Sequence, residues 1–255
     1  MAGTSLRVPP ASLMRVRMRA CLRAPARCAW RALLVILAVG VVTGLVFGIW
    51  PGLDIAITAR FYDPAQKSFP LTYDPAFQAV RDINQTIGLV VAIAAGVVLI
   101  ARLAVPPRWV FLPRALTARA AAFVLAALAI APGLIINGIL KPHGGRPRPI
   151  ELQMFGGPID FVPWYSPYGQ CPSNCSFASG EMSSAIWLVS VAVLLPRAWR
   201  PVGVAAVLLW ALAVGGVRIA MGGHFTSDVL MSAVLTALTV WVLHLLIVRP
   251  AEPTD

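Results

Sequence analysis

Residues Ala120–Leu140 read AAAFVLAALAIAPGLIINGIL and run without a break into Lys141-Pro142-His143-Gly144-Gly145-Arg146-Pro147-Arg148-Pro149. An uncharged run of about 20 residues is what a helix needs to cross the hydrocarbon of a bilayer. The proline- and glycine-rich segment after it cannot continue that helix. A membrane span therefore ends near Lys141, and Lys141, Arg146 and Arg148 stand at its mouth.

The same apolar pattern recurs on both sides. Further spans are expected at Ala32–Trp50, Thr86–Val105, Phe177–Leu195, Val202–Ala220 and Val229–Val248. With the first stretch that gives about six by the length criterion. Phe177–Leu195 is the least regular, because Glu181 stands near its start. The expected fold is all-α, an integral membrane helical bundle with its active site at the outer membrane–water interface. A basic cytoplasmic segment is expected over residues 1–31, a membrane domain over 32–248 with its core motifs within 141–228, and a cytoplasmic tail over 249–255.

Composition agrees. Of 255 residues only 12 % are charged, against about 25 % in a soluble domain, and mean hydropathy is +0.78. The formal net charge of +11 could suggest nucleic acid binding, but the arginines flank apolar runs. They read as topology signals, with some attraction to anionic headgroups. The N-terminal segment, Pro106–Arg119 (Arg108, Arg114, Arg119), Pro196–Pro201 (Arg197, Arg200) and Arg249 are basic and fall on one side, the cytoplasm. Pro51–Gln85, with Asp54, Asp63 and Asp74, then lies outside. So does Lys141–Cys175, although Lys141, Arg146 and Arg148 oppose the rule. Cations placed against a topology rule are candidates for function.

Cys21 and Cys28 sit in the basic N-terminal segment. Cys171-Pro172-Ser173-Asn174-Cys175 lies in the outer loop. No further Cys or His stands at ligand spacing, so a disulfide is expected there, free thiols or a metal site being the alternatives.

With alternating spans, one outer face collects Lys141, Arg148, Ser179, Glu181, Arg218, His224 and Asp228. Ionisable groups at such depth are costly, and their convergence marks a site. Three fixed cations suit a phosphate and its transition state. His224 and Asp228 are four apart and share a helix face; a carboxylate holding one imidazole nitrogen leaves the other free as a nucleophile. Ser179-Gly180 opens a helix whose N–H groups suit an anion. His244, at the opposite end, reads as a packing residue.

These residues resemble the type 2 phosphatidic acid phosphatase superfamily of membrane lipid phosphatases and vanadium haloperoxidases. Lys141 through Arg148-Pro149 matches that family's first motif in full. Ser176-Phe177-Ala178-Ser179-Gly180-Glu181 matches the second in part, with Glu181 in place of its histidine. Val217-Arg218, His224 and Asp228 match the third except for its leading serine. The resemblance covers roughly Ala120–Val248. It implies that Lys141, Arg148, Arg218, the Ser179 hydroxyl and the Gly180 backbone hold phosphate. It also implies that His224 forms a phosphohistidine, that Asp228 orients it, and that no metal or organic cofactor is needed. The family histidine protonates the leaving group. Glu181 either takes that task or pairs with Arg148 or Arg218, and His143 is the alternative acid.

The expected activity is removal of a phosphomonoester or pyrophosphate from a lipid at the periplasmic face of a bacterial inner membrane, with a lean toward lipid A. The expected partners are a phosphorylated lipid and the bilayer, not nucleic acid. The alternatives are an undecaprenyl-diphosphate phosphatase, a lipid phosphotransferase, or an inactive relative that binds phospholipid.

Overall fold

The computed structural model describes residues 25–106, 112–113 and 116–248, with side chains from residue 30 onward. Cys21, Arg108, Arg114, Arg249 and the tail 249–255 lie outside the described residues, as do residues 1–24 of the basic segment and the side chain of Cys28.

Every regular element is helical among the described residues. In chain order they are α1 (Pro25–Ile49), α2 (Gly52–Thr58), α3 (Pro75–Ala104), α4 (Ala118–Leu128), α5 (Gly180–Trp187), α6 (Val189–Ala192), α7 (Arg200–Ala220) and α8 (Thr226–Leu243). α4 continues as a π-helix over Ala129–Leu140 and one α turn over Lys141–His143. α8 continues as a π turn over His244–Val248.

Five of these runs are long and apolar enough to cross a membrane: Trp30–Ile49, Pro75–Ala104, Ala118–His143, Arg200–Ala220 and Thr226–Val248. The stretch expected to be the fourth span is different. It starts at Gly180 rather than Phe177 and is interrupted at Leu188, between α5 and α6.

Local sequence explains the helix starts. The Asp74 side chain accepts from Ala76 N–H at 2.8 Å and Pro75 fills the first turn of α3. Thr117 accepts from Ala120 N–H at 3.0 Å at the start of α4. Such caps contribute about 1 kcal/mol each. Pro132 lies inside the π-helix, where it has no N–H to give to the ladder. The Pro132 carbonyl accepts instead from the Asn137 amide at 2.6 Å. The Lys141 N–H bonds to the Ile136 carbonyl, five residues back, so the wide turn runs up to the first motif lysine.

Large apolar side chains such as Leu34, Leu45, Leu89, Ile100, Leu209 and Leu212 face outward, as lipid-facing residues do. Inside, small residues bring helices close, the usual device where lipid removes the hydrophobic drive between them. A Cβ on Gly40 would sit 3.0 Å from the Val234 side chain, so α1 and α8 pack backbone to side chain there. Polar contacts add specificity. Ser183 and Thr236 hydroxyls are 2.7 Å apart, linking α5 to α8. Asn84 of α3 donates to Ser184 Oγ at 2.9 Å and accepts from Trp210 Nε1 at 3.0 Å. At one end Phe123, Val124, Trp187, Leu188 and Leu243 form a core, and Trp187 Nε1 donates to the Val124 carbonyl at 2.9 Å. His244 packs edge-on against Phe123 in this region.

At the other end an aromatic cluster of Phe69, Phe155 and Phe225 with Leu152 holds the long loop over the helix ends. Gly222, at φ +65°, turns the chain between α7 and α8 there. A Cβ at that position would run into the Phe69 ring.

Candidate active site

His224 follows that turn and is buried. Its Nδ1 is 2.8 Å from the Ser176 carbonyl oxygen. A carbonyl only accepts, so Nδ1 carries the hydrogen and Nε2 keeps a lone pair. Burial pushes the imidazole well below its ordinary value of 6.5, and the Arg218, Lys141 and Arg148 charges push the same way. All three expected phosphate-binding cations therefore act on this one ring, and His224 is held in the neutral form a nucleophile requires.

Arg218 ends α7, and its guanidinium lies against Gly223; any side chain at 223 would displace it. Lys141 reaches the start of α5. A Cβ on Gly180 would lie 3.4 Å from Lys141 Nζ and 3.0 Å from Asn137 Oδ1. The missing side chain at 180 leaves that approach open. Ser179 caps α5 with a long bond of 3.4 Å from Met182 N–H. It is buried, and its carbonyl accepts from Ser232 Oγ at 2.6 Å.

Arg148 and Lys141 share a partner that the sequence did not single out. Asn174 accepts from Lys141 Nζ through Oδ1 at 3.2 Å, and from Arg148 Nε and Nη2 through its carbonyl at 3.2 and 2.9 Å. Asn174 has φ +50°, a left-handed conformation that asparagine tolerates better than most residues. Its loop is stitched to the first motif by Cys171 N–H to Gly145 O at 2.9 Å and Cys175 N–H to Lys141 O at 3.3 Å. Cys171 and Cys175 are disulfide-bonded with Cα atoms 5.7 Å apart.

Asp228 is placed differently from the expectation. It does not meet the His224 ring directly; Ser176 stands between them. Asp228 Oδ2 accepts from Ser176 Oγ and from Phe225 N–H, the latter at 2.9 Å. The Ser176 carbonyl then accepts from His224. The physical reason is that the carboxylate is already engaged. It caps the first turn of α8, and its Oδ1 pairs with Arg146.

Glu181 pairs with Arg218, at 3.3 Å between Oε2 and Nε, and with Arg81 of α3, at 3.1 Å to both Nε and Nη2. Arg148 is not among these partners. The Arg218 contact is close in charge but misaligned, since Nε lacks a hydrogen-bond partner of good geometry. The Arg81 pair is the better aligned, since Arg81 Nε donates to both carboxylate oxygens, at 3.1 and 3.3 Å. Of the two roles expected for Glu181, the geometry shows the pairing with Arg218 and adds Arg81 as a second partner. His143 is exposed, and its Nδ1 bonds at 2.9 Å to the Ile139 carbonyl of its own helix.

The family model for the PAP2 superfamily matches residues 120–251. The chain belongs to the PAP2 superfamily. It is 30 % identical over 207 residues to the lipid A 4'-phosphatase of Francisella tularensis subsp. novicida (strain U112), covering 81 % of this chain and 91 % of that protein. It is 44 % identical over 105 residues to the lipid A 4'-phosphatase of Rhizobium etli, 41 % of each chain. To that of Rhizobium leguminosarum it is 40 % identical over 107 residues, 42 % of this chain and 46 % of the relative. The matches to the two Rhizobium proteins thus span less than half of those proteins' lengths. No solved structure matches the chain. With its five long apolar helices, this PAP2 member is a multi-pass membrane protein.

Proposed function

We propose that this protein is a membrane phosphatase that removes a phosphate ester from lipid A, with His224 as its nucleophile. The observation that carries the mechanism is the His224–Ser176 bond. It leaves Nε2 unprotonated among the Lys141, Arg148 and Arg218 charges. Nε2 attacks phosphorus, the phosphorus–oxygen bond to the sugar breaks, and the leaving oxygen takes a proton from water. Water then cleaves the phosphorus–nitrogen bond, releasing inorganic phosphate and regenerating His224. The cations hold the phosphoryl oxygens through both steps. No step of this scheme calls on a metal or an organic cofactor.

The lipid A assignment is supported by likeness to proteins with that activity, one of them along 91 % of its length. The same likeness supports the 4' phosphate as the one removed. Orientation is supported by charge. Arg119 and Arg200 stand at the start of α4 and α7, the opposite helix ends from Lys141 and Arg218. With the interrupted α5–α6 stretch as the crossing between the outer end at Lys141 and the inner end at Arg200, positive-inside puts both termini in the cytoplasm and the site at the periplasmic face of the inner membrane.

The test is incubation of the purified protein with lipid A bearing both phosphates. Release of inorganic phosphate, with loss of one phosphate from the lipid by mass spectrometry, is expected. It should vanish in His224→Ala while that variant still inserts. Phosphate passed to another lipid would instead make the protein a transferase. Activity in His224→Ala above about a hundredth of wild type would overturn the nucleophile.

A further inference from the structure

The nucleophile's support does not end at Asp228. Arg146 is buried among Asp228, Ser227 and Asp54, all themselves buried. Its Nη1 donates to Asp228 Oδ1 and, at 2.8 Å, to Ser227 Oγ. Its Nη2 donates to Asp54 Oδ2 at 2.9 Å, and its Nε to the Val162 carbonyl at 3.1 Å. The plane of the guanidinium is covered by Phe225 at 4.3 Å and Phe161 at 5.5 Å. Asp54 closes the array from its other side. It accepts from Ser227 N–H at 3.0 Å through Oδ1 and from Ser227 Oγ through Oδ2. The Arg146 carbonyl accepts from Ser176 N–H at 2.8 Å, so Arg146 also holds the backbone that holds His224.

We infer that Asp54 is a positioning residue for the nucleophile, acting through Arg146, Asp228 and Ser176. Asp54 sits in α2, outside the residues 120–251 matched by the family model. A segment just after the first long helix thus reaches into the catalytic framework. Arg146 has a rigid planar fork, and its two terminal nitrogens serve different carboxylates, Nη1 that of Asp228 and Nη2 that of Asp54. Without Asp54, one arm of that fork has no acceptor in a site closed to water. Arg146 then shifts, Asp228 loses its fixed partner, and the Ser176 carbonyl no longer holds Nδ1 of His224 on line. Substrate binding is untouched, because Lys141, Arg148 and Arg218 contact none of these atoms in the contacts above.

The inference rests on His224 being the nucleophile, and the experiment separates the two. Wild type and Asp54→Asn are compared for kcat and KM on lipid A, with membrane content and thermal midpoint measured alongside. Asp54→Asn keeps the shape and removes the charge. The expected result is a fall in kcat of about 10- to 100-fold, the scale of misplacing a reacting group, with KM within about twofold. Asp54→Asn combined with Asp228→Asn should be no slower than Asp228→Asn alone, since both act through one array. A folded Asp54→Asn with kcat near wild type, a loss carried by KM, or multiplicative effects in the double variant would each overturn it. Should Asp54→Asn not accumulate, Ser227→Ala, which removes one hydroxyl shared by Asp54 and Arg146, is read by the same kcat and KM criteria. A wild type that releases no phosphate defeats the proposed function itself, not the positioning role alone.

Discussion

His224 Nδ1 and the Ser176 carbonyl oxygen are 2.8 Å apart, and that single bond selects the tautomer of the buried ring. Burial first, then Arg218, Lys141 and Arg148, lower its proton affinity well below the ordinary 6.5. His224 should therefore stay neutral as pH falls through 6.5. Ring-carbon NMR of the labelled protein should show the Nδ1–H tautomer at pH 6.5 and below. A titration midpoint near 6.5 would contradict the burial argument.

The same depression has a sign for stability. Below pH 6.5 the unfolded chain binds a proton at this position and the folded protein does not. Stability from this group is thus present above 6.5 and falls as pH drops toward the folded value, by at most about 1.4 kcal/mol per pH unit. Thermal midpoints in detergent between pH 7.5 and 5 should decline more steeply for wild type than for His224→Asn. Parallel declines would assign the acid sensitivity elsewhere.

Glu181 pairs with Arg81 and stands 3.3 Å from Arg218 Nε. Glu181→Gln should therefore slow a sugar phosphate and an aryl phosphate by similar factors, because positioning of Arg218 suffers for both. An acid would behave differently: its loss hurts the poor leaving group and spares the aryl one. The measurement is the ratio of the two rates in wild type and variant. A ratio that changes about tenfold or more would return Glu181 to the role of general acid.

How much of this site could be read from the sequence depended on where each charge stood. Lys141, Arg218, His224 and Asp228 were legible because each ends or begins an apolar run, so counting spans placed them together. Arg81 was hidden by a boundary. The span was expected from Thr86, but the Asp74 cap and Pro75 start α3 earlier, and Arg81 rides in its second turn. Asp54 looked like one acid in an acidic loop, since no periodicity ties it to a helix end 170 residues later. Arg146 was visible as a cation against the topology rule, but nothing local showed that it turns inward while Arg148 turns to Asn174. The interruption of the fourth stretch at Leu188 is likewise a packing outcome. Around the break its residues are apolar apart from Ser190, so hydropathy alone reads it as one span.

Orientation gives a separate test. Reporter fusions within residues 156–168 and after residue 248 should report opposite compartments, the first periplasmic. The motivation is the basic residues Arg119 and Arg200 at the helix ends remote from the site. Identical readouts would require an odd change in the number of crossings between the two positions, and two cytoplasmic readouts would put the disulfide loop in a reducing compartment.

The Cys171–Cys175 loop should act on binding rather than on chemistry. Asn174 holds Lys141 through its side chain and Arg148 through its carbonyl, and the disulfide closes the loop around it. Releasing the loop leaves His224 and its Ser176 partner in place but frees Lys141 and Arg148, the two cations proposed to hold phosphate, to wander. Cys171→Ser with Cys175→Ser should therefore raise KM by a few fold, about 1 kcal/mol of lost preorganisation, while kcat changes little. Asn174→Ala should reproduce the Lys141 part of that loss with the disulfide intact; Asn174→Gly should do the same and also relieve the left-handed backbone. Alkylation and mass spectrometry on the wild type should find both cysteines blocked until reduction. Free thiols in fresh membranes would sink the bridge. An unchanged KM in the double serine variant would show that Lys141 and Arg148 are positioned without the loop.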